Sequence, residues 1–254
     1  MKIGVFDSGL GGLTVLAELL KVSRSAEFFY LGDTARVPYG IRSTETVRRY
    51  ALECALFLKD FGIDTLVVAC NTASARAVDY LREKLPELNI FEVISPAVEM
   101  VVKEATASVG VIGTPSTIGS GVYKREILKR RRNLKVLQRA TPLLVPLVEE
   151  GLFEGEITDA VLRHYLSPWK GEIDTLLLGC THYPLLEGAI KKLFPTWKVI
   201  NSAKPLAEKL KAKLNGEGDN KVHLFFTDRT AFLENFLRSI DLRGTVKEVD
   251  FVSL

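Results

Sequence analysis

Short runs of four to six apolar residues, bounded by polar turns, alternate along the chain with longer stretches whose apolar positions recur at helical spacing. In the first half the expected order is a strand over residues 3–6, a helix over 13–20, a strand over 27–31, a helix over 44–61, a strand over 65–69, a helix over 74–85 and a strand over 90–94. Strands alternating with helices in this way build parallel sheets covered by helices on both faces. The second half repeats the rhythm with a strand over 109–112, a helix over 116–131, a strand over 135–139, helices over 145–150 and 158–165, and a strand over 175–178. Beyond Pro205 follow a helix, a strand over 222–226, a helix over 232–240 and a last strand over 246–252. Ser95-Pro96 marks the expected junction of the halves, because proline disfavours helix in the residue before it.

The halves also echo each other residue by residue. Ile63-Asp64-Thr65-Leu66-Val67-Val68-Ala69-Cys70-Asn71-Thr72 is answered 110 positions later by Ile173-Asp174-Thr175-Leu176-Leu177-Leu178-Gly179-Cys180-Thr181-His182. Gly4-Val5-Phe6-Asp7-Ser8 is answered 106 positions later by Gly110-Val111-Ile112-Gly113-Thr114. Each longer copy sets a cysteine at the end of a buried strand, and open α/β sheets bind ligands at the carboxyl ends of their strands. Two thiols, Cys70 and Cys180, are therefore offered to one cleft between two related domains.

Composition narrows the class. At 254 residues, 47% hydrophobic and 26% charged, the chain is expected to be a soluble α/β protein with a sizeable core, and it has no apolar run long enough to cross a membrane. Met1-Lys2 leads straight into a strand with no signal-peptide pattern, so a cytoplasmic location is expected. A net charge of +3 does not point to nucleic acid, and Lys124-Arg125 with Lys129-Arg130-Arg131-Arg132 reads as a solvated helix face. Three cysteines without C-x-x-C spacing make neither a disulfide framework nor a zinc site, so reduced thiols and no metal are expected. Cys54, inside a helical run, reads as a buried inert cysteine.

The loops carry the candidate chemistry. Asp7-Ser8-Gly9-Leu10-Gly11-Gly12 is a glycine-rich turn entering a helix, whose N–H groups with Ser8 are suited to an anion; it lacks the order of a P-loop or dinucleotide site. Asp7, a carboxylate aimed into such a cleft, needs a cation such as a substrate ammonium, or serves as a base. Each cysteine is expected to precede a helix N-terminus, which favours the thiolate and lowers a thiol pKa. His182, two positions after Cys180, is placed to tune it or relay a proton. Tyr39-Gly40 is able to supply backbone and hydroxyl donors, although a plain tight turn is equally consistent. Thr114, Ser116 and Thr117 around Pro115 cap a helix, bind an anion, or do both. Glu149 and Glu150 read more readily as solvated carboxylates.

Two opposed thiols suit the inversion of a stereocentre bearing a proton: one group removes the proton from one face and the other delivers a proton to the opposite face. The motifs Phe6-Asp7-Ser8-Gly9-Leu10-Gly11-Gly12, Pro38-Tyr39-Gly40, Ala69-Cys70-Asn71-Thr72-Ala73, Val111-Ile112-Gly113-Thr114 and Leu178-Gly179-Cys180-Thr181-His182-Tyr183-Pro184 together resemble bacterial glutamate racemase. The resemblance implies cofactor-independent interconversion of L- and D-glutamate for peptidoglycan, and a homodimer. It also implies two quasi-symmetric α/β domains, 1–97 plus 207–254 and 98–206, the last segment folding back onto the first. It assigns Cys180 to take the proton from L-glutamate and Cys70 from D-glutamate, with Asp7, His182 and Glu149 assisting. Asp7, Ser8, Tyr39, Gly40, Asn71, Thr72, Thr114, Thr117, Thr181 and His182 would hold the substrate. Thr141 departs from the pattern, since many relatives carry cysteine there; no part in catalysis is expected of it. A racemase acting on aspartate, or a non-catalytic thiol switch, are the competing readings.

Overall fold

The computed structural model describes residues 1–216, 218–230, 232–242 and 245–254. Ten strands are present among them: β1 (Lys2–Asp7), β2 (Glu27–Gly32), β3 (Thr65–Val68), β4 (Asn89–Glu92), β5 (Ser108–Gly113), β6 (Lys135–Ala140), β7 (Thr175–Gly179), β8 (Lys198–Asn201), β9 (Lys221–Phe226) and β10 (Thr245–Phe251). They form two sheets, ordered β10-β9-β2-β1-β3-β4 and β6-β5-β7-β8, and every pairing is parallel. β3, β5 and β7 are buried along their whole length, which is why they read as unbroken apolar runs rather than alternating ones.

The sequence echo reappears as register. Ile3 pairs with Thr65 in the first sheet and Val109 with Thr175 in the second, so the two offsets, 106 and 110, relate β1 to β5 and β3 to β7. The order β6-β5-β7-β8 thereby repeats β2-β1-β3-β4. The first sheet is longer because the chain returns to it, with β9 alongside β2 in the register Glu27 to Lys221. Glu217, Ala231, Arg243 and Gly244 of that returning segment lie outside the described residues. No helix among the described residues is long and apolar enough to cross a membrane.

Local chemistry moves several boundaries. The Ser95-Pro96 junction is itself helical, within Ile94–Glu104. Pro96 occupies the third helical position, where the N–H it lacks has no intrahelical acceptor to lose. Both carboxylate oxygens of Glu92 accept the Ser95 N–H, at 3.0 and 3.2 Å, and one also accepts that of Ile94, which offsets the pre-proline restriction. The helix expected over 116–131 is two, Pro115–Gly119 and Val122–Arg130, divided at Gly121, whose φ of 66° is left-handed. Helix Asn71–Lys84 starts three residues earlier than expected because the Cys70 sulfur caps it, accepting the Ala73 N–H at 3.5 Å. Strand β8 and the helix Glu187–Leu193 before it had no expected counterpart.

At the end opposite the cysteines, Asp174 ties β7 to the turn entering β5. Its carboxylate accepts the N–H groups of Thr106 at 3.0 Å and of Ala107 and Ser108 at 2.7 Å. Burial alone would raise its pKa, but these donors and the Thr175 hydroxyl hold it down to about 2. A carboxyl lowered on folding stabilises above its ordinary value of 3.8, and that contribution is lost as pH falls through about 2. Denaturant unfolding at stepped pH is therefore expected to show Asp174→Asn less stable than wild type by a constant margin at neutral pH, vanishing near pH 2. A margin independent of pH would assign the effect to shape rather than charge.

Candidate active site

The carboxyl ends of both sheets converge on one small cavity, walled by Ser8, residues 37–40, 70–72 and 180–182, Thr114 and Val145. Its volume is about 20 Å³, room for roughly one water. Cys70 and Cys180 both line it and are 5% and 6% exposed. The turns after β1 and β3 bring Ser8 and Cys70; the turn after β7 brings Cys180, Thr181 and His182.

On the first side the Cys70 thiol donates to Ser8 Oγ at 3.4 Å. Asp7 is fully buried, accepting the Gly9 N–H at 3.0 Å and the Thr181 hydroxyl at 3.3 Å, and it stands one layer behind the cavity wall. Burial raises the Asp7 carboxyl, against the charge of His182 and the N–H groups of Gly12 and Gly9. Burial, and then the Asp7 charge, push the Cys70 thiol up to about 12. This reverses the expected lowering by the helix N-terminus. A helix end favours an anion by at most about 2 kcal/mol, whereas taking a charge out of water costs several kcal/mol.

The second side differs. Cys180 precedes a 3₁₀ turn, Tyr183–Leu186, rather than an α-helix. Its sulfur lies 3.8 Å from Nδ1 of His182, and Nε2 of that ring lies 3.3 Å from Glu149 Oε1. The Glu149 contact is at ion-pair distance but lacks hydrogen-bond alignment. Burial alone would lower the pKa of His182; the Cys180 sulfur and the Glu149 carboxylate overcome it and raise it to about 10. The ring is thus an imidazolium at neutral pH. Glu149 ends the helix Leu144–Glu149 and remains 35% exposed, so it is both solvated and a partner of the site.

Hydroxyls and amides complete the walls. Thr72, Thr114 and Thr117 place their Oγ1 atoms 2.9 to 3.2 Å apart, and Thr114 also caps its helix, accepting the Thr117 N–H at 3.3 Å. Thr117 stands behind the wall. The side chain of Asn71 is held across the interface, accepting from Tyr123 and donating to Ser202 Oγ at 3.3 Å. The Tyr39 hydroxyl donates to Asp33 rather than into the cavity, so that turn presents backbone and ring. Thr141 is buried with its Oγ1 2.7 Å from the Tyr183 hydroxyl. Val37 and Val145 in the wall, and Tyr123, Ser202 and Asp33 behind it, were not anticipated as site residues. Among the described residues no group of three His, Cys, Asp or Glu could hold a metal.

The family described as Asp/Glu/Hydantoin racemase matches residues 4–210. The chain belongs to that family. The glutamate racemase of Aquifex aeolicus strain VF5 is 51% identical over 241 residues, 94% of each chain. The solved structure of glutamate racemase from Aquifex pyrophilus, 48% identical, superposes with a TM-score of 0.83 over 98% of both chains. That of glutamate racemase from Francisella tularensis subsp. tularensis SCHU S4, in complex with D-glutamate, superposes with a TM-score of 0.90 at 34% identity, over 99% of this chain and 97% of the other. The family places racemisation on this fold, and both catalytic cysteine candidates lie within the matched span.

Proposed function

We propose that this chain is a glutamate racemase, interconverting L- and D-glutamate with Cys180 and Cys70 as the two acid–base groups and with no cofactor. The observation that carries the reading is the pair of thiols on one enclosed cavity, each with its own partners, at matched strand ends of two echoing sheets. Cys70, pushed up to about 12, is held as a neutral thiol, the form that delivers a proton. Beside Cys180 the His182 imidazolium stabilises negative charge on sulfur and is placed to pass a proton. In the L to D direction Cys180 removes the Cα proton and Cys70 supplies one to the opposite face; the reverse direction exchanges the roles.

A Cα proton is far less acidic than a thiol, so most of the barrier must fall by stabilising the carbanion-like state with donors fixed before reaction. Ser8, the backbone of Tyr39 and Gly40, and the Asn71, Thr72 and Thr114 side chains supply such donors; the Thr181 hydroxyl, donated to Asp7, offers the substrate a lone pair instead, with Asp7, Thr117 and Glu149 orienting these groups from behind. A cavity of about 20 Å³ is too small for glutamate, so the halves must part to admit it. The reading includes a division into 1–97 plus 207–254 and 98–206, supported by the sheet to which each strand belongs, a cytoplasmic homodimer, and a supply of D-glutamate to peptidoglycan.

The test is incubation with L-glutamate in deuterated water with a chelator present, following optical rotation and Cα deuterium, with L-aspartate in parallel. Rotation should decay with deuterium in the early D-product and little in the residual L-substrate. No turnover of glutamate overturns the proposal, and turnover of aspartate alone reassigns the substrate. Because His182 carries its proton below about 10, the rate should fall as pH rises through that value. His182→Asn should run slower and lose that limb; a limb that persists belongs to another group.

A further inference from the structure

The buried carboxylate of Asp33 is used by none of the steps above, yet it gathers three donors behind one wall of the cavity. It is fully buried at the end of β2. Its Oδ2 accepts from the Tyr39 hydroxyl and from Arg36 Nε at 2.6 Å, and its Oδ1 accepts from Thr227 Oγ1 at 2.8 Å. Its N–H donates to the carbonyl of Asp7 at 3.0 Å, which continues the ladder beside the strand that ends in the Ser8 turn. Arg36 extends the cluster, pairing with Glu53 and lying 4.1 Å over the Tyr50 ring.

We infer that Asp33 is the positioning residue for the Pro38-Tyr39-Gly40 wall of the cavity, holding it through the Tyr39 hydroxyl. Residues 33–42 contain one regular element, the 3₁₀ turn Tyr39–Ile41, and Pro38 has no N–H to donate, so backbone bonds alone hold this segment weakly. The far end of the turn meets the other half of the molecule: a Cβ on Gly40 would lie 2.5 Å from that of Thr114. A wall that must fit this closely against Thr114 needs a fixed origin, and a fully partnered buried carboxylate supplies one, since losing it leaves Tyr39 and Arg36 donors unpaired in the interior.

The inference rests on the glutamate racemase reading for what the wall closes upon. Its test compares Asp33→Asn, Tyr39→Phe and the double variant by KM and kcat for glutamate, with hydrogen exchange of the amides of residues 36–42. Each single change should raise KM about tenfold with kcat within about threefold, the double should be no worse than the worse single, and the amides should exchange at least about tenfold faster. Additive effects on KM with unchanged exchange would mean that the Tyr39 hydroxyl meets substrate directly, and overturn the inference. Should Asp33→Asn not fold, Thr227→Val removes one donor and must still speed exchange over 36–42; unchanged exchange there and in Tyr39→Phe also overturns it. If the wild-type protein does not racemise glutamate, the substrate reading fails while the exchange comparison still decides the role of Asp33.

Discussion

Alanine in place of Cys180 or of Cys70 is expected to lower glutamate racemisation by about 10² to 10⁴, the range that a positioned acid–base group contributes. Both variants should fold, because each sulfur makes few contacts that a methyl group would lose: Cys70 bonds Ser8 and the Ala73 N–H, and Cys180 meets His182. The two should differ in what remains. With Cys70 absent, Cys180 still reaches the Cα proton of L-glutamate but nothing answers on the opposite face, so deuterium from solvent should enter L-glutamate without inversion. With Cys180 absent the same holds for D-glutamate. Stopped-time NMR on each enantiomer separates these cases, and full racemisation by either variant would refute the two-thiol mechanism.

Gly11→Ala is expected to cost on the order of 10² in rate, although no atom of Gly11 is acidic, basic or nucleophilic. An added Cβ would lie 2.5 Å from both His182 Nδ1 and Thr181 Oγ1, closer than real side chains approach. The ring cannot easily retreat, being buried with Glu149 on its far nitrogen and Phe236 beside it at 6.4 Å between centroids. The methyl group must therefore push His182 away from Cys180 or hold the halves apart, and about 1 Å of misplacement at a reacting centre is worth about 10²-fold. Gly11 has no left-handed φ, so space alone forbids the alanine. Gly188→Ala, where a Cβ meets nothing within 4 Å, is the control and should leave the rate unchanged. A wild-type rate in Gly11→Ala would show that the His182 contact with Cys180 is dispensable.

The sheets were legible because buried parallel strands announce themselves as unbroken aliphatic runs, and because the duplication wrote the same strand twice. β8 was not: Lys198-Val199-Ile200-Asn201 is too short and too mixed to stand out until β7 supplies its neighbour. The helix through Pro96 was misread because its cap, Glu92, acts from outside the helix. Cys70, Cys180 and His182 could be read from the echo, and Asp7 and Ser8 from the glycine-rich turn. Tyr123 and Ser202 could not, since nothing in sequence ties positions 52 and 131 residues away to Asn71. The direction of the Cys70 shift was missed for a related reason: a helix N-terminus is visible in sequence, but the burial that outweighs it belongs to the folded state.

The partners of the two thiols also decide how the enzyme recovers between turnovers. Each passage from L to D leaves Cys180 protonated and Cys70 stripped, the mirror of the starting state, and a further L-substrate must wait until those protons are exchanged with bulk water. Cys180 has a route outward, through the His182 ring to Glu149, which is 35% exposed. Cys70 bonds Ser8 and stands near Asp7, both buried, so it meets water through the cavity itself. The two thiols therefore recover by different paths, Cys180 through its ring and Cys70 through the cavity once the halves part, and until both have done so the enzyme keeps the state set by the enantiomer it last released.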